Sequence, residues 1–138
     1  MDIALGLSGN PGAVARAATA AEAADVESVW VAELDRSYTV SAAAAIAATT
    51  RVRVGTALAL AFARSPTFAA MEVRDLGDLS GGRFLLGLGT QVKKVMEARF
   101  SVPYERPVAR LVEYAAVLRT VWAAGRSVPA NTGPPTFA

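Results

Sequence analysis

The segment Gly87-Leu88-Gly89-Thr90-Gln91-Val92 sets two glycines and two polar side chains at the end of an apolar run, Phe84 to Leu88. Two chemistries fit such a stretch. As the opening of G-x-G-x-x-G it would grip a pyrophosphate at a strand-to-helix turn. The third glycine of that fingerprint, which lets helix and strand pack closely, is replaced by Val92. No acidic residue ends a strand about twenty residues later, because Glu113 falls inside a helical pattern. In the other chemistry, two glycines at the carboxyl end of a strand let a flat ligand approach the backbone, because neither carries a Cβ. The residues favour this second reading over the dinucleotide turn, and a tight strand-to-loop turn without a ligand fits them too.

Glu33 ends a second apolar run, Ser28 to Ala32. A carboxylate at the carboxyl end of a parallel strand faces the side on which α/β folds bind ligands. A solvated loop acid or a helix-cap partner fits equally well. Asp35-Arg36 reads as a surface pair of little energetic weight. Lys93-Lys94 suits a phosphate or a solvated turn, and Arg83, after Gly81-Gly82, reads as a rim charge beyond a helix stop.

Several chemistries are excluded. The 138-residue chain contains no histidine and no cysteine, which removes Ser-His and Cys-His nucleophile pairs, disulfides and the commonest metal ligands. No metal site is expected. The net charge of +2 comes from scattered arginines rather than a basic block, so no nucleic-acid partner is expected. The amino terminus lacks a basic leader, and no run approaches the ~18 apolar residues of a membrane span. A cytoplasmic protein with no membrane partner is the expectation.

The elements that must position these residues follow from periodicity. Ile3 to Leu7 reads as a strand, Gly9-Asn10-Pro11-Gly12 as a turn and Ala13 to Ala24 as a helix. Ser28 to Ala32 is a second strand and Val40 to Ala48 a helix. Arg51 opens a third strand that runs through Leu60. Ser65-Pro66 caps a helix whose Phe68, Met71, Leu76 and Leu79 lie near one face. Phe84 to Leu88 is the fourth strand, and Pro107 opens a helix with Leu111, Tyr114, Leu118, Val121 and Trp122 at helical spacing. The order βαβαβαβα implies a parallel sheet covered by helices, over residues 1–124, with 125–138 as an irregular tail. A small doubly wound sheet and half of a (β/α)8 barrel both satisfy that order.

The stretch "GGRFLLGLGTQVKKVMEARFSVPYERPVARLVEYAAVLRTVW", with "ESVWVAE" and "VRVGTALALAFARSP" before it, resembles the bacterial luciferase-like superfamily of flavin enzymes. Within it the resemblance is nearest to oxidoreductases that use the deazaflavin coenzyme F420, with FMN the alternative cofactor. It implies half of a TIM-like (β/α)8 barrel with a flat ring at the carboxyl mouth of the strands. A non-prolyl cis peptide between Ala57 and Leu58 would prop that ring from behind. Glu33, Thr56, Ala57, Leu58, Gly89, Thr90 and Gln91 are the implied cofactor-binding positions. The implied reaction is hydride transfer between the deazaflavin or flavin and a small organic substrate, with the ring carrying the hard chemistry. The loop "ELDRSYT" lacks the histidine that many members carry after strand two, so no catalytic residue is assigned.

A half barrel exposes two sheet edges and one apolar face, which favour association. The expected partner is a second copy of the chain or a complementary C-terminal half. A non-catalytic assembly subunit that keeps the fold, and a small open-sheet nucleotide binder, are the competing readings.

Overall fold

The computed structural model describes residues 3–125 and 136–137. Among the described residues there are seven short strands and five α-helices: β1 (Ala4–Leu7), α1 (Pro11–Ala23), β2 (Ser28–Val31), α2 (Tyr38–Ala47), β3 (Arg53–Thr56) and β4 (Ala59–Leu60) come first. A 3₁₀ turn (Ala61–Ala63) leads to α3 (Pro66–Leu79), β5 (Phe84–Leu86), β6 (Leu88–Gly89), α4 (Lys93–Phe100), α5 (Pro107–Ala124) and β7 (Thr136–Phe137). The main sheet runs β1-β2-β3-β5-β7, and every neighbouring pair is parallel. A second parallel pair, β4-β6, continues β3 and β5 beyond their carboxyl ends.

Strand order equals chain order, which decides between the two architectures. Crossovers of constant hand that always step to the next strand put every helix on the same face. A doubly wound sheet needs a reversal of direction, and none occurs among the described strands. The helices confirm the one-sided arrangement, since α1 packs on α2, α2 on α3 and α3 on α5. The chain is an α/β unit of singly wound parallel strands, part of a TIM-like barrel wall.

Register divides the sheet into two faces, because residues paired across parallel strands point the same way. Leu5, Val29, Val54 and Phe84 form one row, and Val29, Val54 and Phe84 are sealed beneath the helices. Gly6, Trp30, Gly55 and Leu85 form the adjacent row on the opposite face. Gly55 has no room for a Cβ, because the Trp30 ring lies across it. The indole Nε1 donates to Ser28 Oγ at 2.9 Å and keeps the ring flat on the sheet.

Local chemistry sets the helix starts. Asn10 caps α1 by accepting from the Ala13 amide at 2.9 Å, with Pro11 in the first turn, so the helix begins two residues earlier than expected. Ser65 caps α3 as expected, accepting from Phe68 N at 3.2 Å. The buried face of α3 differs from the expected one. Ala69, Ala70, Val73 and Leu76 are buried, whereas Phe68, Met71 and Leu79 are exposed. Small Ala69 and Ala70 let α3 sit close to its neighbours, while Phe68, Met71 and Leu79 turn outward. On α5, Tyr114, Leu118 and Trp122 are buried as expected, and Trp122 Nε1 donates to Ala70 O at 3.0 Å.

Two further differences bear on the mouth of the sheet. The third strand does not run unbroken to Leu60; it stops at Thr56 and resumes as β4. Lys93-Lys94, read as a solvated turn or a phosphate contact, instead open α4, a helix not assigned from the sequence and anchored by the fully buried Met96. The expected irregular tail is corrected at its end, where Thr136–Phe137 pairs with Leu85 and Leu86 as β7. Residues 126–135 of that tail lie outside the described residues.

The amino ends of the strands are tightly tied. The Glu22 carboxylate accepts from three successive amides, Thr50, Arg51 and Val52, at 3.0, 2.6 and 2.8 Å. Bonds from Val52 and Arg51, the largest influences, hold its pKa down at about 2. Arg83 is not a free rim charge. Its guanidinium donates to the carbonyls of Ser80, Val52 and Thr49 at 2.9, 2.7 and 3.1 Å, joining the ends of α2 and α3 to the foot of β5.

Candidate functional site at the carboxyl ends of the strands

The predicted site residues gather at the carboxyl end of β2, β3 and β5, but they do not all face the same way. The peptide between Ala57 and Leu58 is cis, as the resemblance implies. Here the chain leaves the β3 ladder, and Ala57 and Leu58 are both exposed, Leu58 at 46%. The ladder position that β3 vacates is filled by a side chain. Thr56 Oγ1 donates to Gly87 O at 2.8 Å and accepts from Gly87 N at 2.9 Å. Thr56 is fully buried, and its hydroxyl stitches two strands together.

Glycines at 87 and 89 answer close approaches. A Cβ on Gly87 would strike the Thr56 carbonyl oxygen, and one on Gly89 would strike the Leu58 side chain. Leu58 therefore lies over Gly89, and the pairing Ala59↔Leu88 and Leu60↔Gly89 brings both segments into one small shelf.

Glu33 is buried at 7% exposure and fully engaged. Its backbone N–H donates to Leu58 O at 3.1 Å, and its Oε2 accepts from Leu60 N at 2.8 Å. Arg64 grips the same carboxylate with two prongs, Nη2 to Oε1 at 2.5 Å and Nη1 to Oε2 at 3.1 Å. Arg64 Nε also lies 3.4 Å from Glu72 Oε2, which accepts from the Tyr38 hydroxyl at 3.1 Å. The guanidinium stands over the Tyr38 ring, 4.7 Å from its centre. Burial works against the Arg64 charge, but the bonds to Glu33 and the nearby carboxylates outweigh it and keep it protonated. Burial, reinforced by Glu72, raises the Tyr38 phenol above its ordinary range. Burial likewise pushes Tyr114 up to about 12.

Thr90 and Gln91 form a half-buried rim fixed by a residue the sequence did not single out. Gln91 takes a left-handed conformation, with φ of 57°. The Tyr104 hydroxyl donates to Gln91 O at 2.7 Å and lies 3.0 Å from Thr90 Oγ1. From α4, Arg99 reaches Asp35 in the loop after β2 at 2.7 Å, tying that loop to the helix. Arg64 also lines a neighbouring cleft of ≈ 550 Å³ between the starts of α3 and α5, with Phe62, Ser65, Arg110, Glu113 and Tyr114.

The structure thus brings Ala57, Leu58, Thr90 and Gln91 to the mouth, with Gly89 buried beneath Leu58, and turns Glu33 and Thr56 inward. Sequence reasoning missed Arg64, Glu72 and Tyr104. Arg64 carried a faint signal, a lone cation between the apolar "ALALAFA" and the Ser65 cap. Among the described residues no group of His, Cys, Asp or Glu is placed to hold a metal ion, and no helix is long and apolar enough to cross a membrane.

Known proteins similar to this chain bear on its family and fold. The protein Rv1360 of Mycobacterium tuberculosis is 40% identical over 117 residues, which is 83% of this chain and 34% of that protein. Rv3520c of the same organism, provisionally named a coenzyme F420-dependent oxidoreductase, is 40% identical over 89 residues, covering 64% of this chain and 25% of that protein. The oxygenating constituent of 3,6-diketocamphane monooxygenase from Pseudomonas putida, solved with FMN, superposes with a TM-score of 0.77 at 16% identity. That alignment covers 88% of this chain and 40% of the other. The chain therefore spans about a third of the length of Rv1360 and a quarter of that of Rv3520c. The sequence model of the luciferase-like monooxygenase family matches residues 2–137, and the chain belongs to that family.

Proposed function

We propose that this chain supplies the ring-bearing wall of an oxidoreductase that moves a hydride between a deazaflavin or flavin and a small organic substrate. The observation that carries the reading is the exposed, uncharged Ala57–Leu58 shelf packed on Gly89 at the carboxyl ends of the strands. It offers a flat ligand an apolar backing, while the buried Glu33 carboxylate beneath it is paired with the Arg64 guanidinium. These residues fit such a ring. Ala57 and Leu58 would lie behind it, and Gly89, Thr90 and Gln91 would form its rim. Bound there, the coenzyme itself supplies the hydride chemistry, and the protein orients it. Thr90 is already bonded to Tyr104 and to its own loop, so it serves as a fixed rim group rather than a proton carrier.

F420 is the preferred cofactor and FMN the alternative. The name of Rv3520c supports the first, and the FMN complex of the camphane enzyme supports the second. The chain's outer edge strand β1 is largely exposed, and Leu5 is 41% exposed on the face that helices cover elsewhere. That edge suits further barrel strands, from a complementary C-terminal half or from a second copy.

Fluorescence titration of the purified protein with F420, FMN and NADPH tests the proposal. Saturable binding of F420 or FMN, and none of NADPH, is expected. Binding of neither, with a stable associated species by light scattering, would favour the non-catalytic assembly subunit. Tight NADPH binding alone would favour the nucleotide binder.

A further inference from the structure

The geometry points to Glu33 as a positioning residue that fixes the Leu58–Leu60 backbone from beneath, with Arg64 holding its carboxylate in place. Glu33 grasps the segment at two points two residues apart. Its N–H meets Leu58 O at 3.1 Å and its Oε2 meets Leu60 N at 2.8 Å. Leu58 is the exposed surface of the shelf, and Leu60 is buried below it at 2%. The carboxylate is thus a bridge between the end of β2 and the start of β4, where no regular ladder joins those strands.

The same contacts leave Glu33 no part in touching a ligand. Oε2 receives both Leu60 N and Arg64 Nη1, and Oε1 receives Arg64 Nη2. The residue is 7% exposed. Arg64 in turn is held against rotation by Glu72 and by the Tyr38 ring. A buried carboxylate with a two-pronged partner is a rigid group, because breaking either end strands a charge away from water. Tyr38, Glu72, Arg64 and Glu33 form one chain of contacts that ends at the shelf. The bearing of that shelf on a coenzyme rests on the function proposed above, whereas its stiffness does not.

Amide hydrogen exchange followed by NMR on the ¹⁵N-labelled chain reads the stiffness directly. Glu33→Gln, whose amide cannot accept the Arg64 fork, and Arg64→Met, which removes that fork, each loosen the acceptor of Leu60 N and should speed exchange at Leu60 by up to about tenfold, the limit set by losing one hydrogen bond of ordinary net strength. Val29 and Val54, at the sheet centre, should keep their protection. The double variant should be little worse than either single one, since both changes break the same link. Unchanged exchange at Leu60 in either single variant overturns the proposal. Should Glu33→Gln fail to fold, Arg64→Lys, which keeps the charge and loses the fork, takes its place; selective acceleration at Leu60 supports the assignment and its absence overturns it.

A second readout uses FMN and F420 titrations of the same proteins. If the unaltered chain binds either one, Glu33→Gln and Arg64→Met should weaken binding by equal factors. Weakening by Glu33→Gln alone would mark Glu33 as a direct ligand and overturn the positioning role. If the unaltered chain binds neither, the proposed function falls in this chain, and the Leu60 exchange still decides the role of Glu33.

Discussion

Replacing Thr56 by valine removes one hydroxyl from a place closed to water and keeps the side chain's shape. That hydroxyl makes two bonds to the same residue, donating to Gly87 O at 2.8 Å and accepting from Gly87 N at 2.9 Å. The two losses are unequal. Gly87 O retains the Ala59 amide at 2.8 Å, so it stays satisfied. The Gly87 N–H is left without an acceptor. An orphaned buried donor costs about 1–3 kcal/mol, so Thr56→Val should lose about 2 kcal/mol. In urea, with a slope of roughly 1–3 kcal/mol per molar, the midpoint should fall by about 1 M with the slope unchanged. Thr56→Ser is the control, because it keeps the hydroxyl and loses one buried methyl, for about 0.8 kcal/mol. Equilibrium urea denaturation followed by circular dichroism separates the two. If valine costs no more than serine, the hydroxyl bridge does not hold β3 to β5, and the account of how the shelf is supported fails.

Glu22→Gln should lower the melting temperature at pH 7, and the gap to the unaltered chain should close on acidification. The carboxyl falls from 4.5 to about 2 in the fold, so its contribution is complete above 4.5 and is lost as pH drops toward 2. A gap that stays constant over that window in thermal melts contradicts the assignment. Gly87→Ala should cost about 1–3 kcal/mol in the same urea assay, because its Cβ meets a carbonyl oxygen of the backbone rather than a side chain that can turn away. Tyr104→Phe should cost about 1 kcal/mol and raise the rate of limited proteolysis near Gln91, since the phenol holds that turn at 2.7 Å. Wild-type proteolysis rates in that variant would show that the turn holds itself.

Much of the scaffold was legible because it rests on local signals. Ser65-Pro66 announces a helix start, and the Tyr114, Leu118 and Trp122 spacing marks a buried helix face. What escaped depends on partners distant in the chain. Glu33 lies 27 residues from Leu60 and 31 from Arg64, so its role as a bridge has no local signature. The helix at 93–100 escaped because its lone buried residue, Met96, gives no periodicity. On α3 the rule that large apolar residues go inward held at Leu76 and failed at Phe68, Met71 and Leu79, which lie off the buried face that Ala69, Ala70 and Val73 share with it. The two-residue strand at Thr136–Phe137 is too short to carry a pattern and is defined by the edge of β5 it joins. All seven positions assigned to the cofactor were implied by the resemblance, with Glu33 and Gly89 read also from their place at strand ends. Both sources say where a residue lies but not which way it turns, and Glu33 and Thr56 turn inward.

Arg83 illustrates a division of labour between the two ends of the molecule. One guanidinium collects the loose carbonyls at the base, and the Glu22 carboxylate collects loose amides a few residues away. Both are rivets, remote from the shelf. With the floor fastened in this way, loops at the opposite end can be exchanged or lengthened without unmaking the wall. Such a framework lends itself to acquiring new substrates by changing its upper rim alone.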